Sequence, residues 1–195
     1  GLRKMLSERI LADGSVYREL DEADVRHTLT ELADAGVKAV AVCLLHSYAN
    51  ATHERRVREI AQELGLNLYI TLSSDVAPEL GEFERMTTST ANAYIQPIAE
   101  GYLQTLQNAL KEAGHGGAFY LMWSDGGLAG VEATLQAPIR LLESGPAAGA
   151  LAVRHLAKQQ QAERVLAFDM GGTTAKLCLV RHGEPSRSAS FEIGR

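Results

Sequence analysis

A short turn rich in glycine and threonine lies between two apolar segments near the end of the chain. Residues 165–168 precede it and residues 177–180 follow it, and Asp169 ends the first segment. The turn itself contains Gly171, Gly172, Thr173 and Thr174. Glycines let a ligand approach the backbone, successive N–H groups bind anions, and an adjacent carboxylate can hold a divalent cation. The pattern predicts a phosphate-binding hairpin, and the alternative is an ordinary β-hairpin whose glycines only permit the turn.

Other residues of suitable type could line the same site. Asp125, Gly126 and Gly127 directly follow an apolar segment, and ligand sites of α/β proteins concentrate at the carboxyl ends of strands. Gly145 begins a run of small residues that could admit either a ligand or a neighbouring helix. Lys176, just after the turn, either adds a positive charge to the phosphate site or points outward as a solvated lysine. Both questions stay open at this point.

The elements that must position these residues alternate between helix and strand. Helices are predicted over residues 21–35 and 50–63, and each is followed by an apolar strand, at 37–46 and 66–72. The almost wholly apolar character of the first strand is typical of a parallel sheet that is buried on both faces. Residues 73–78 break this pattern because Pro78 and Gly81 predict a bend. The first half of the chain is therefore predicted to be an α/β layer.

The second half begins with a long helix, predicted over residues 88–113, which Pro97 should kink or interrupt. The order then predicted is a strand at 119–123, a short helix at 131–135, an extended segment at 139–142, a helix at 147–157 and the hairpin. We expect two domains, an α/β subdomain over residues 1–80 and a second domain over residues 81–195. His46, at the end of a buried strand, is predicted to be structural. Arg85 is predicted to lie either in a surface ion cluster or in a cleft.

Composition excludes several classes of function. The net charge is −5 and the sequence has no block of Lys and Arg, which argues against a nucleic-acid partner. No segment approaches the roughly 20 apolar residues that span a bilayer, so we expect no membrane partner and a cytoplasmic location. Cys43 and Cys178 lie in apolar segments and are predicted to be buried, reduced thiols. The chain starts without Met, and we expect it to be an internal part of a longer protein.

The order of the motifs carries a family resemblance over nearly the whole chain. The small-residue helix followed by a Gly-Gly-Thr-Thr hairpin resembles the actin-like ATPase superfamily. A closer resemblance is to the hydantoinase A/5-oxoprolinase family, which also contains subunits of the acetone carboxylase type. The blocks that carry it are residues 40–48, 73–79, 83–88, 92–95, 124–127, 144–149 and 168–174.

The resemblance implies an α/β fold, namely a fragment of an actin-like ATPase (ribonuclease H-like) core with an additional α/β subdomain. It implies ATP-dependent hydrolysis of a cyclic amide such as a hydantoin or 5-oxoproline, in which phosphorylation of the ring carbonyl oxygen activates the amide carbon. Asp169 would hold Mg²⁺ and act in catalysis, and the glycines and threonines of the turn would bind phosphate. A hydantoinase B-type subunit or fused domain is the expected partner, with self-association as a further expectation.

Three alternatives accompany this interpretation: an ATP-binding subunit of an acetone-carboxylase-type enzyme, a chaperone-like ATPase and a sugar-kinase-like enzyme. Residues 40–48 and 73–95 argue against the chaperone, because chaperones lack these blocks. The family's N-terminal Asp-x-Gly-Gly-Thr phosphate loop and its adenosine loop are not among these residues. We therefore expect the 195-residue chain to be inactive by itself.

Overall fold

The structure, a computed structural model, describes residues 2–172 and 175–186. The chain divides into two compact units, which are described separately. Unit 1 comprises Gly1–Ala118 with Glu132–Ile139, and unit 2 comprises Phe119–Val131 with Arg140–Arg195. None of the helices in the described part combines the length and apolar character that a membrane-spanning helix needs.

Unit 1 is an α/β layer built on a parallel pair of strands. A small antiparallel hairpin, β1 (Arg9–Ile10) and β2 (Val16–Arg18), precedes α1 (Glu22–Asp34), β3 (Ala39–Val42), α2 (Thr52–Glu63) and β4 (Tyr69–Leu72). Strands β3 and β4 pair in parallel, with Ala39 opposite Tyr69 and Val42 opposite Leu72. The core lies between this pair and the two helices, and it contains Val25, Leu29, Val42, Val57, Ile60, Ala61 and Leu72. This confirms the predicted order of helices and strands.

The beginning of α1 shows how local sequence sets an element boundary. The carboxylate of Asp21 accepts hydrogen bonds from the backbone N–H groups of Ala23 and Asp24, at 3.0 and 3.1 Å. Such a cap satisfies donors that have no partner within the helix. Gly36 follows the helix with a φ of +77°, a conformation that glycine adopts without strain. The predicted start and stop of this helix are confirmed.

A long helix, α4 (Glu82–Glu112), packs against both strands of the parallel pair. It begins at Glu82 rather than near residue 88, because Arg85 is fully buried and its environment fixes the first turn. The helix continues through Pro97, where a kink or interruption was predicted. A short helix, α3 (Ser73–Val76), occupies the segment predicted to break the pattern. Helix α5 (Val131–Gln136) confirms the predicted short helix.

Unit 2 consists of a hairpin, one helix and a three-stranded antiparallel sheet. Strands β5 (Tyr120–Met122) and β6 (Leu128–Gly130) form the hairpin. A 3-10 helix, Pro138–Leu141, replaces the extended segment predicted at 139–142 and leads to α6 (Ser144–Gln159). The sheet contains β7 (Arg164–Met170), β8 (Ala175–Arg181) and β9 (Glu184–Pro185). Helix α6 packs against β7 and β8, so the predicted helix and hairpin form one layered unit.

The division into compact units differs from the expected boundary near residue 80, because α4 packs on β3 and β4. A division by contacts does not locate the boundaries of family domains. The two-domain boundary at residues 80 and 81 therefore stays a prediction.

Candidate functional site

The glycine turn forms the tip of the β7–β8 hairpin, as predicted. The two strands pair without interruption from Arg164 opposite Arg181 to Met170 opposite Ala175. Gly171 and Gly172 are exposed at the tip, whereas Thr173 and Thr174 lie outside the described residues. The tip thus presents glycine backbone to solvent, which is the feature that an anion site of this kind requires.

Asp169 and Lys176 are directly opposite each other next to this tip. Directly opposed residues of an antiparallel pair project from the same face of a sheet. Side chains on that face are half-buried or buried further along the strands, as Ala167, Cys178 and Val180 show, and the helix packed on these strands is α6. Asp169 and Lys176 therefore share the face of the hairpin that is turned toward α6.

The ammonium group of Lys176 forms an ion pair with the carboxylate of Glu143, the residue immediately before α6. Only about a third of each side chain is accessible to solvent, 34% in both cases. Lys176 is therefore not the freely solvated lysine of the second alternative. It joins the tip of the hairpin to the start of the helix.

The opposite end of α6 contacts the other end of the sheet. Arg154 donates to the Gly183 carbonyl at 2.9 Å and to the Glu184 carboxylate at 2.6 Å, both at the turn between β8 and β9. The Glu143–Lys176 pair lies at the N-terminal end of α6, whereas the Arg154 contacts lie in its C-terminal half. The N-terminus of α6 is therefore beside the glycine tip.

The first turn of α6 has no side-chain cap. Glu143 has the left-handed backbone conformation, with φ 62° and ψ 17°, and its carboxylate binds Lys176 instead of the helix N–H groups. Uncapped N–H groups together with the helix dipole favour a bound anion at this end. A Cβ built on Gly145 or Gly149 meets no atom of the described structure within 4 Å, so close helix packing does not explain either glycine. The role of Gly145 in ligand approach stays a prediction.

Asp125, Gly126 and Gly127 lie in the turn between β5 and β6, and contacts within unit 2 account for the conformation of this turn. The Asp125 carboxylate accepts from the Gly127 N–H at 2.8 Å. Gly126 has φ +86°, and a Cβ there would lie 2.8 Å from Cδ1 of Leu151. Leu151 is seven residues beyond Ser144, about 10 Å along the helix. The turn therefore packs part-way along α6, and its assignment to phosphate binding stays a prediction.

Among the residues that the structure describes, no three or more His, Cys, Asp or Glu side chains are grouped as metal ligands. Asp169 offers a single exposed carboxylate next to the tip. Magnesium is commonly held by one or two carboxylates together with substrate phosphates and water. This donor set therefore fits Mg²⁺ that arrives with a phosphate ligand, and Asp169 is the residue that would contact the ion or its waters.

Unit 1 contains a buried polar cluster that the sequence analysis missed. Arg85 is fully buried, so the predicted surface ion cluster is wrong for this residue. Its guanidinium donates to the hydroxyls of Ser47 and Ser73 and to the carbonyl of Leu44. Tyr48 places its ring 5.6 Å from the guanidinium carbon, and its hydroxyl is 3.3 Å from Nδ1 of His46. His46 thus contacts the ring that covers Arg85, and its structural role stays a prediction.

The spacing of these polar residues is visible in the sequence, but their burial is not. Arg85, Ser89 and Asn92 recur at helical spacing, and all three are fully buried on one face of α4. Asn92 accepts from the Ile139 N–H at 3.0 Å and donates to the Thr71 hydroxyl at 3.0 Å. A polar face of this kind resembles a solvent-exposed face in sequence. Only the partners of these side chains reveal that it is buried.

Comparison with known proteins agrees with this architecture. The profile of the hydantoinase/oxoprolinase N-terminal region matches residues 2–65, and that of hydantoinase/oxoprolinase matches residues 85–195. The chain is 36% identical to the acetophenone carboxylase gamma subunit of Aromatoleum aromaticum, over 89% of this chain and 24% of that one. It is 33% identical to 5-oxoprolinase of Saccharomyces cerevisiae, over 91% of this chain and 13% of that one.

A solved structure, that of ATP-dependent caprolactamase from Pseudomonas jessenii, has a TM-score of 0.78 to this chain at 27% identity. The match covers 89% of this chain and 25% of the caprolactamase chain. The chain thus spans about a quarter or less of the length of these relatives. The predicted fold class, an α/β fragment with an actin-like ATPase core, is confirmed. With both family profiles matched in order, the chain belongs to the hydantoinase/oxoprolinase family.

Proposed function

We propose that the full-length protein is an ATP-dependent enzyme that opens a cyclic amide, and that unit 2 binds the phosphates of ATP. The Glu143–Lys176 contact carries this proposal, because it brings the glycine tip of the hairpin to the uncapped N-terminus of α6. The backbone N–H groups of the tip, those of the first turn of α6 and the ammonium group of Lys176 would then act on one anionic ligand. Anionic phosphate groups are the ligands that such a set of donors favours.

Each residue has a distinct role in this proposal. Gly171 and Gly172 donate backbone hydrogen bonds to phosphate oxygens, with Thr173 and Thr174 as further candidate donors. Lys176 supplies positive charge at one point of the site. Asp169 would hold Mg²⁺, and the ion would supply positive charge that stabilises the phosphate groups. In this scheme the γ-phosphoryl group of ATP passes to the ring carbonyl oxygen and ADP leaves. Water then adds to the activated amide carbon, the ring C–N bond breaks, and phosphate is released.

The relatives support a cyclic amide as the substrate. One of them is named 5-oxoprolinase and another is named ATP-dependent caprolactamase, and 5-oxoproline and caprolactam are both lactams. Several relatives are named as subunits, such as the caprolactamase alpha subunit and the acetophenone carboxylase gamma subunit. We therefore infer that this protein acts with a partner subunit or a fused domain that completes ring opening.

A second candidate function is carboxylation of a ketone. The 36% identity to an acetophenone carboxylase subunit favours it. Both candidates use the same phosphate site in unit 2, and they differ in which carbonyl compound accepts the phosphoryl group.

The test is ATP hydrolysis by the full-length protein together with its partner subunit. The acceptors are 5-oxoproline, caprolactam and hydantoin in one set, and acetone and acetophenone with bicarbonate in the other. The proposal predicts that ADP release depends on a member of the first set and accompanies ring opening. Stimulation by ketones alone would assign the second function. No stimulation by either set would overturn both.

A further inference from the structure

Glu143 occupies an unusual position for a carboxylate. It is the residue before α6, where side chains commonly cap the helix, yet its own carboxylate is paired with Lys176. Its backbone has φ 62°, a left-handed conformation that non-glycine residues rarely adopt. Contacts around it must maintain this conformation, and the ion pair with Lys176 is one of them.

We propose that Glu143 is an internal competitor for the phosphate site. Without nucleotide its carboxylate neutralises the ammonium of Lys176, and a bound phosphate takes over that ammonium and releases Glu143. The inference rests on the proposed function, because it assumes that phosphate binds at the hairpin tip. It adds that Lys176 exchanges the Glu143 carboxylate for a phosphate group, and that this exchange sets the affinity for nucleotide.

The charges near the tip support an exchange. Lys176 has two carboxylates near it. Asp169 is directly opposite it on the hairpin, and Glu143, before α6, forms an ion pair with it. A phosphate that approaches this group of one positive and two negative charges meets an ammonium that is already engaged. Removal of the Glu143 charge frees Lys176 and also lowers the repulsion toward the incoming anion.

The solvent exposure of the pair limits the size of the effect. With about a third of each side chain accessible, water and salt screen the pair, and either partner can be exchanged without exposing a buried core. Pairs of this exposure change an equilibrium by about two- to fivefold. The competitor therefore tunes binding of nucleotide and does not block it.

The experiment measures equilibrium binding of ATP to the full-length protein with EDTA present, so that no divalent cation bridges the carboxylates. Glu143→Gln keeps the shape of the side chain and removes its charge, and we expect the Kd for ATP to fall about two- to fivefold. Glu143→Gly, which also suits the left-handed backbone, should change the Kd in the same direction. Melting curves of both variants establish that they are folded.

Two further variants separate this inference from the proposed function. Glu184→Gln removes a carboxylate that pairs with Arg154 at the far end of α6, and the Kd for ATP should stay unchanged. Lys176→Met should raise the Kd if phosphate binds at the tip. An unchanged or raised Kd in Glu143→Gln, combined with a raised Kd in Lys176→Met, overturns the competition alone. An unchanged Kd in both variants overturns the phosphate site as well.

Discussion

The buried carboxylate of Glu54 and the buried guanidinium of Arg85 are joined through one hydroxyl group, that of Ser73. Ser73 Oγ donates to Glu54 Oε1 at 2.7 Å and accepts from Arg85 Nη1 at 3.1 Å. Glu54 also accepts from the backbone N–H groups of Leu44 and Ser74, at 2.8 and 2.9 Å. This cluster ties α2, α3 and α4 to the segment that follows β3.

Arg85→Met should destabilise unit 1 by about 3–5 kcal/mol, because it leaves the buried Glu54 carboxylate without a compensating positive charge. The measurement is amide hydrogen exchange of β4 and α4 in the full-length protein, which reports the free energy of local opening. The double variant Glu54→Gln with Arg85→Met should lose less stability than Arg85→Met alone, since it removes both buried charges. Equal protection in the native and Arg85→Met proteins would contradict this account.

Acid should weaken the contact between α1 and α2. Arg56 donates to the carboxylates of Glu22, Glu59 and Glu63. Hydrogen bonds from Arg56 lower the pKa of Glu22, and those from Arg26 and then Arg56 lower the pKa of Glu63, both from the ordinary value of 4.5. Because the folded pKa values are depressed, the stabilisation is present above pH 4.5 and is lost as the pH falls through the folded values.

Arg56→Gln should therefore move the pKa of Glu22 back toward 4.5 and reduce the loss of stability below that pH. An NMR titration of the glutamate carboxyl carbons measures the pKa values directly. Thr30→Ser, on the exposed part of α1, serves as a control that leaves these carboxylates untouched. An unchanged titration of Glu22 in Arg56→Gln would show that the hydrogen bonds from Arg56 do not lower its pKa.

Cys43 should react slowly with alkylating reagents. Burial is the main cause that raises the pKa of its thiol above the ordinary 9.0, and the thiolate is the reactive form. Iodoacetamide labelling at pH 8, followed by mass spectrometry, should find Cys43 modified several times more slowly in the folded than in the denatured protein. The ratio should shrink as the pH rises above 9. Cys43 is half-buried rather than fully buried as predicted, and equal labelling rates in both states would contradict the raised pKa of its thiol.

Substitution of two glycines by alanine should change the stability of unit 2 in opposite directions. Gly126 packs on α6 and Gly149 lies within it. Gly126→Ala should destabilise unit 2 by about 1–2 kcal/mol, because φ is +86° and the new Cβ would lie 2.8 Å from Leu151. Gly149→Ala should stabilise it by about 0.5–1 kcal/mol, because the position is helical and has open space. Fluorescence of Trp123, which lies in unit 2, can follow denaturation of both variants. Equal effects would refute the packing of the β5–β6 turn on α6.

Asp169 and Lys176 should affect different steps. Lys176→Met should raise the KM for ATP, since the proposal assigns its charge to phosphate binding. Asp169→Asn should lower kcat by about 100-fold, because positioning of the cation matters most when charge develops in the transition state. Glu184→Gln is the matched control. It removes a carboxylate of β9 that pairs with Arg154 of α6, and it should change neither kcat nor KM. A full kcat in Asp169→Asn would exclude its assigned role.

Local sequence was sufficient for elements whose cause is local. Asp21 caps α1, Gly36 ends it, and the apolar run before Cys43 indicated a parallel strand, all of which the structure confirms. The hairpin was predicted for the same reason, because two apolar segments flank a glycine turn. The length of the helix after the bend was not predicted, since its first turns carry a polar side chain, Arg85, that is buried by distant partners.

The candidate site was only partly predictable. The residue types at the tip predict anion binding, which stays a prediction, but they do not predict the contact that joins the tip to α6. That contact links Lys176 and Glu143, which are 33 positions apart. Glu143 itself was not selected as a site residue, because the helix was predicted to begin at residue 147, whereas it begins directly after Glu143. Its left-handed backbone and its ion pair are consequences of packing between α6 and the sheet.

The position of a bound nucleotide tests the central claim most directly. We predict that a structure of the full-length protein with Mg²⁺ and a non-hydrolysable ATP analogue will place phosphate oxygens within about 3 Å of the backbone N–H groups of Gly171 and Gly172. Lys176 should then contact phosphate in place of Glu143. Phosphates bound elsewhere, with the Glu143–Lys176 pair intact, would contradict the account.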